Sequence, residues 1–308
     1  MVGRISGILQ KASNEKQKEK RIRFTRFDSI DDQEVADALF GAVEDWGRAR
    51  GMDTLCGPLG FSDLEREGLL IEGFEHLATF EEQYNADYYG KLIENCGFAK
   101  DVDWLEYKVY SPDDINDDFE QMTLKVLERY NLRFGTAKNV KDFIRKYADG
   151  FFDLLDEAYS KLYGTVPFTE GMKKMLIDNF KLIINLRYVT VILDENDKVV
   201  CMGLCFPSIA RAVQKSKGKL TPAGLIRLMW AIKRPKVVDL GLVGVDPKYI
   251  NKGVSSAIFA RLRKLLAEGR IQYAETNLTL ETNFGIQNQW KRFETCQHKR
   301  RRSYVKAI

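Results

Sequence analysis

Two kinds of hydrophobic pattern alternate along the chain. In VKDFIRKYADGFFDLLDEAYSKLYG the apolar residues Phe143, Tyr147, Phe151, Leu154 and Leu155 recur at helical spacing. PFTEGMKKMLIDNFKLIIN predicts a second helix, with Pro167 and Thr169 near its start. TPAGLIRLMWAIKRP, VSSAIFARLRKLL and FGIQNQWKRFETC read as further helices. Between them lie short apolar runs: LKVLERYNLRF, two arms of RYVTVILDENDKVVCMGLCFPSI around Asp-Glu-Asn-Asp, VVDLGLVGV, YAETNLTLET and RRSYVK. These predict strands, the second set a hairpin. The order is β-α-α-β-β-(α)-β-α-β-α-β, an α/β (α+β) fold with a mixed sheet.

Residues before this block repeat the tail of that order. RIRFTRFDSI is a strand, DDQEVADALFGAVEDWGRARG a helix with Val35, Leu39, Val43 and Trp46 on one face, and TLCGPLGF a strand. YNADYYGKLIENCGF and VDWLEYKVY add a helix and a strand. Phe27-Asp28 matches Val245-Asp246, and the strand before Gly60 matches YAETNL. An internal duplication accounts for this. The first copy carries an insertion, SDLEREGLLIEGFEHLATFEEQ, and starts at VGRISGIL. The expected organisation is a degenerate, N-terminally incomplete unit at 1–112, an acidic linker at 113–122 and a second unit at 123–308.

Composition narrows the chemistry. The chain has 308 residues, 44% hydrophobic and 30% charged. No apolar run approaches the ~20 residues that span a bilayer, and the start lacks a signal-peptide pattern, so a cytoplasmic protein is expected. Five scattered cysteines without a CxxC pair point to reduced thiols. With only His76 and His298, a multi-histidine metal site is excluded and no metal is expected. Cys296 and His298, two residues apart, do not make a dyad. The net charge is +4, and the runs KQKEKRIR and HKRRRSYVK read as solvated faces. Nucleic acid and membrane are therefore the disfavoured partners, and LIRLMWAIKRP reads as a packed amphipathic helix.

The stretch VDPKYINKGVSSAI joins a strand to a helix through a glycine turn. Gly253 lets backbone approach an anion closely. The helix N-terminus adds a positive dipole end, Lys252 a charge, and Ser255 and Ser256 hydroxyl donors. With ETNFGIQNQWKRFE and the first-copy block GPLGFSDLEREGLLIEGFE, this stretch resembles the GNAT superfamily of acyl-CoA-dependent N-acyltransferases, here as two tandem units. The resemblance implies that the strand before the loop splays from its neighbour. Backbone at Leu242, Val243 and Val245 then binds the pantetheine arm. Ile250, Asn251, Lys252, Gly253, Val254, Ser255 and Ser256 form the pyrophosphate loop, and Asn283 touches the cofactor as well as capping a helix. The family's loop reads Arg/Gln-x-x-Gly-x-Gly/Ala; here Ile250 replaces the first residue and Ser255 the second small one. Trp290 stands where the family often has a tyrosine general acid; either another donor serves, such as Tyr304 or Tyr273, or water protonates the thiolate, or the unit is idle. In the first unit DSIDDQEVADA has no glycine and five acids, which repel pyrophosphate, so no CoA is expected there.

Acyl transfer from a thioester to an amine needs a polarised carbonyl and a route for the proton. Period two in YAETNLTLET puts Glu275, Asn277, Thr279 and Glu281 on one face. Asp239 is the single charge in VVDLGLVGV and is expected to share a face with Gly241 and Val243. Glu275 and Asp239 are the candidate bases. The expected function is transfer of an acyl group, acetyl in the first instance, from acetyl-CoA or another acyl-CoA to a small-molecule amine; a homo-oligomer is compatible with this. The alternatives are an idle GNAT-like module that holds CoA or another ligand, and a pseudo-enzyme recruiting a partner through the first-unit insertion.

Overall fold

The computed structural model describes residues 1–111 and 118–308. The first half runs β1 (Gly3–Ile8), α1 (Lys11–Gln17), β2 (Arg21–Ser29), α2 (Gln33–Arg48), β3 (Thr54–Gly57), β4 (Leu69–Glu72), α3 (Tyr89–Asn95) and β5 (Ala99–Tyr110). The second opens with α4 (Asp118–Arg129), β6 (Arg133–Phe134), α5 (Val140–Ala158), α6 (Glu170–Phe180), β7 (Val189–Leu193) and β8 (Val199–Pro207). It continues through α7 (Ala210–Lys215), α8 (Pro222–Lys233), β9 (Val237–Val245), α9 (Ser256–Ala267), β10 (Tyr273–Thr276), β11 (Thr279–Leu280), α10 (Phe284–Trp290) and β12 (Glu294–Ala307).

Among the described residues, twelve strands form one mixed sheet, ordered β1-β2-β3-β12-β5-β10-β9-β8-β7-β6, with β4 on β12 and β11 on β5. Two parallel pairs mark the duplication. In each half a strand, a helix and a second strand make a β-α-β unit: β2-α2-β3 and β9-α9-β10. The closing strands are exchanged. β12, from the end of the chain, pairs with β3 of the first half, Tyr304 against Gly57. β5, from the first half, pairs with β10 of the second, Ala274 against Val109. β5 and β12 then pair with each other along most of their length.

Each half keeps its own core. Ile22, Phe24, Phe40, Leu55, Ile93 and Tyr304 are buried together in the first. In the second, α5 packs Phe143, Tyr147, Phe151, Leu154 and Leu155 on one sheet face. On the other face α9 sets Phe259, Leu262 and Leu266 against Val238 and Leu240. The helical periods read from the sequence place these residues as expected.

Several expectations need correction. LKVLERYNLRF is a strand only at its end, Arg133–Phe134 of β6: residues 118–129 form α4, whose Thr123 and Leu127, one turn apart, are buried. Of the linker at 113–122, residues 113–117 lie outside the described residues, and 118–122 are helical. YAETNLTLET is broken after Thr276, so Asn277 belongs to neither strand and the four-residue face does not form. The insertion contributes β4, whose Leu69 and Leu70 pair with Arg302 and Arg301. No helix among the described residues is long and apolar enough to cross a membrane.

Candidate functional site

The break after β10 opens the sheet. β9 and β10 pair in parallel from Val237–Tyr273 to Leu240–Thr276, and Asn277 N–H donates to Leu240 C=O at 3.2 Å. The chain then leaves β9: Thr279 and Leu280 pair with Leu105 and Trp104 of β5. β9 beyond Leu240 keeps β8 on one side and loses its strand on the other. The register of β8 on β9 also slips here. Leu204 faces Leu242 but Cys205 faces Leu240, leaving Gly241 as the extra residue of a bulge. The bulge reverses which side chains face α9: Val238 and Leu240 before it, Val243 and Val245 after it. Asp239 therefore does not share a face with Val243.

A cavity of about 310 Å³ enters this opening. Leu240, Gly241, Leu242, Val243, Asn277 and Asn283 line its mouth. Its far end lies under α5 and α6, walled by Phe143, Phe151, Phe152, Phe180, Met202 and Phe206. The Tyr159 hydroxyl donates to Val243 C=O at 2.9 Å. Asn283 caps α10, accepting from Ile286 N–H. Trp290 is buried edge-on to Phe259, and its indole Nε1 has no acceptor among the described residues.

The glycine turn lies beyond β9. Asp246 starts it by accepting Lys248 N–H at 2.8 Å and pairing with Lys198 at 2.9 Å. Burial works against its charge, but these two partners prevail and lower its pKa. Asn251 and Gly253 take positive φ, 61° and 79°. Gly253 is exposed, and a Cβ there meets only Val126, at 3.6 Å. The Lys252 ammonium lies 5.5 Å from the Tyr130 ring and 5.6 Å from that of Tyr249. Ser256 is buried; its hydroxyl meets Gly253 C=O and, at 3.2 Å, the Thr123 hydroxyl. Ile250 projects into solvent. The turn leaves its outer face open at the α9 N-terminus. In the first half the equivalent helix mouth is filled: Asp32 accepts Glu34 N–H and Val35 N–H.

Glu275 and Asp239 are register partners on adjacent parallel strands, so their carboxyl groups share a face. Glu275 accepts or shares a proton with His298 Nε2 at 2.9 Å and pairs with Lys299 Nζ at 2.8 Å. Burial disfavours its charge, yet His298 and Lys299 outweigh burial and lower the pKa. Lys299 also pairs with Glu106 at 2.5 Å, and Glu106 with Arg301 at 2.7 Å. Asp239 has no partner of its own in hydrogen-bond geometry. Burial first, then the neighbouring Glu275 charge, push it up to about 7, with Ser208 easing the shift only in part.

Sequence reasoning finds Glu275 and Asp239 but misses His298, Lys299 and Glu106. The cause is a bulge in β12. Gln297 faces Tyr107 and Lys299 faces Glu106, so His298 is an extra residue and consecutive side chains both reach Glu275. No spacing rule signals this. Tyr304 lies elsewhere, buried in the first-half core with its hydroxyl on Glu94. Tyr273 borders a second, larger basin of about 1530 Å³ that also reaches Glu275 and His298. The insertion lines both cavities, with Glu81 and Glu82 on the first and His76 on the second. Among the described residues no cluster suited to a metal ion occurs.

A splayed parallel pair, a bulge at the opening and a glycine turn leading into a helix define a class. The chain has the fold of the GCN5-related N-acetyltransferases. It superposes on the GCN5-related glucosamine N-acetyltransferase region of a fungal multi-domain GH3 β-N-acetylglucosaminidase with a TM-score of 0.56 and 12% identity, covering 99% of this chain and 31% of that one. A GCN5-related N-acetyltransferase from Sphaerobacter thermophilus gives 0.51 and 10%, covering 98% and 76%. In sequence the chain is 27% identical over 317 residues to Protein YghO of Escherichia coli (strain K12), covering all of this chain and 80% of that protein. It is 31% identical over 224 residues to the bacterial ceramide synthase of Caulobacter vibrioides, covering 71% of this chain and 56% of that protein. The match thus spans little more than half of that synthase. No protein-family model matches the chain.

Proposed function

We propose that the protein is an N-acyltransferase that moves a long acyl chain from a CoA thioester to an amine. The observation that carries this is the apolar cavity running from the opening between β9 and β10 to the space beneath α5 and α6. A thioester carbonyl at the bulge puts its acyl group at the mouth of that cavity. Acetyl needs only the mouth; the phenylalanine-lined end suits a hydrocarbon tail, whose burial is worth about 0.8 kcal/mol per methylene. The sequence match to a ceramide synthase supports a lipid-like amine as acceptor.

The chain's groups divide the work. The pyrophosphate lies at the exposed turn of Asn251, Lys252, Gly253, Val254 and Ser255, on the α9 dipole. Backbone of Leu242 and Val243 flanks the pantetheine arm. Glu275, kept ionised by His298 and Lys299, takes the proton from the attacking amine. The C–N bond forms as the C–S bond breaks. Asp239, protonated over part of the neutral range, returns a proton to the thiolate.

The test is thiol release with palmitoyl-CoA and a long-chain amine. Glu275→Gln lowers kcat by about 100-fold or more while palmitoyl-CoA still binds. Ala148→Trp, in the cavity wall, lowers turnover of palmitoyl-CoA and spares acetyl-CoA. No turnover of any acyl-CoA across an amine panel, with binding intact, would leave a ligand-holding module instead.

A further inference from the structure

The helix α8 is apolar on two sides. Leu228, Ala231 and Ile232 pack toward the α5 core. Leu225, Ile226 and Trp230 face outward, 51%, 70% and 60% exposed, and Met229 joins them. A soluble surface helix ordinarily turns charge toward water, and a contiguous apolar patch rimmed by polar groups marks an interaction site. Here the rim is cationic. Arg211, Lys215, Arg227, Lys233, Arg234 and Lys236 all border the larger basin beside α8. None of the six is ion-paired among the described residues; Arg234 instead lies 4.6 Å over the Trp230 ring. Of the basin's acids, Glu268 is paired with Arg187 and Glu275 lies inside its buried network, which leaves the exposed Glu75 beside His76, whose pKa burial lowers, as the one acid facing these six cations.

We propose that the outer face of α8, with its basic rim, docks the protein on an anionic lipid bilayer. Charge complementarity selects this occupant. Bulky apolar side chains enter the acyl boundary while lysine and arginine meet phosphate headgroups, the arrangement of an interfacial helix. A protein partner of ordinary composition leaves six like charges on one rim unmatched; an anionic leaflet neutralises them together. Docking also points the basin, with Glu275 and His298 in its wall, at the membrane surface. An amphiphilic amine then reaches the site without leaving the bilayer. The docking itself does not depend on the transferase reading, because it is read from binding alone.

The experiment is co-sedimentation of the full chain with phosphatidylcholine vesicles, with and without phosphatidylglycerol. The wild type is expected to pellet with the mixed vesicles, to release at high salt, and to show a blue-shifted Trp230 emission absent from Trp230→Phe. Ile226→Glu with Trp230→Glu, and separately Arg227→Glu with Lys233→Glu, should each weaken binding by about tenfold or more, with unchanged circular dichroism. All the substituted side chains are on the surface, so the fold is expected to persist. Equal binding to both vesicle types, or binding to neither, overturns the proposal. So does a dimer, seen by ultracentrifugation, that Trp230→Glu dissolves while vesicles do not bind, since the face then covers a second copy.

Discussion

Asp239 is buried in a central strand beside Glu275, and its carboxyl is pushed up to about 7 from a reference of 3.8. The folded protein therefore holds this proton more tightly than the unfolded chain. Its contribution to stability is full below pH 4, declines as pH rises toward 7, and is flat above. Asp239→Asn removes the dependence. The variant should gain on the wild type between pH 4 and pH 8, by on the order of a few kcal/mol, in urea titrations at several pH values. A difference that stays constant across that range would contradict the assignment. Asp239 drew notice in sequence because a lone charge in an apolar strand is a local signal, whereas the parity read for it and for Glu275 failed at the bulge after Leu240 and the break after Thr276. His298 was not legible, because the bulge that turns it inward depends on the strand opposite.

At the scale of elements, the strand, turn and helix from Val237 to Ala267 follow from local chemistry. An apolar run, a glycine in the left-handed region and an amphipathic helix each carry their own pattern. Gly253→Trp should abolish CoA binding in calorimetry, since it places a ring over the open turn and strains a φ of 79°. Asp28→Ala, in the first half, should leave CoA affinity unchanged, because Asp32 already fills that helix mouth. A large loss from the second variant and none from the first would place the nucleotide elsewhere. The misread element is α4. Its Thr123 and Leu127 point inward one turn apart, and Thr123 meets Ser256 of α9. The run alternates apolar residues over Leu124, Val126, Leu127, Tyr130 and Leu132 closely enough to read as a strand, but the helix that includes Phe119 and Thr123 puts Thr123 and Leu127 on one buried face.

For the whole molecule, the decisive feature is the crossing of β5 and β12. Duplication was readable from repeated element order, but no stretch of sequence records which strand lies beside it. A strand's face is set by its own residues; its neighbour is set by the rest of the chain. Domains commonly fold alone, and these halves are not expected to. Residues 1–111 and 118–308, expressed separately, should each be insoluble, having lost the strands that close their sheets. Expressed together they should associate and elute as one species. Two independently soluble halves would contradict the exchange.

That crossing brings first-half residues into the network around Glu275. The Glu106 backbone carbonyl meets His298 Nδ1 at 3.1 Å, and the Glu106 carboxylate grips Lys299. Both contacts reach the Glu275 network from a strand encoded nearly two hundred residues earlier. The first copy thus holds in place the two side chains that contact Glu275 of its twin, and under the proposed transferase reading it is a working part rather than a relic carried beside it.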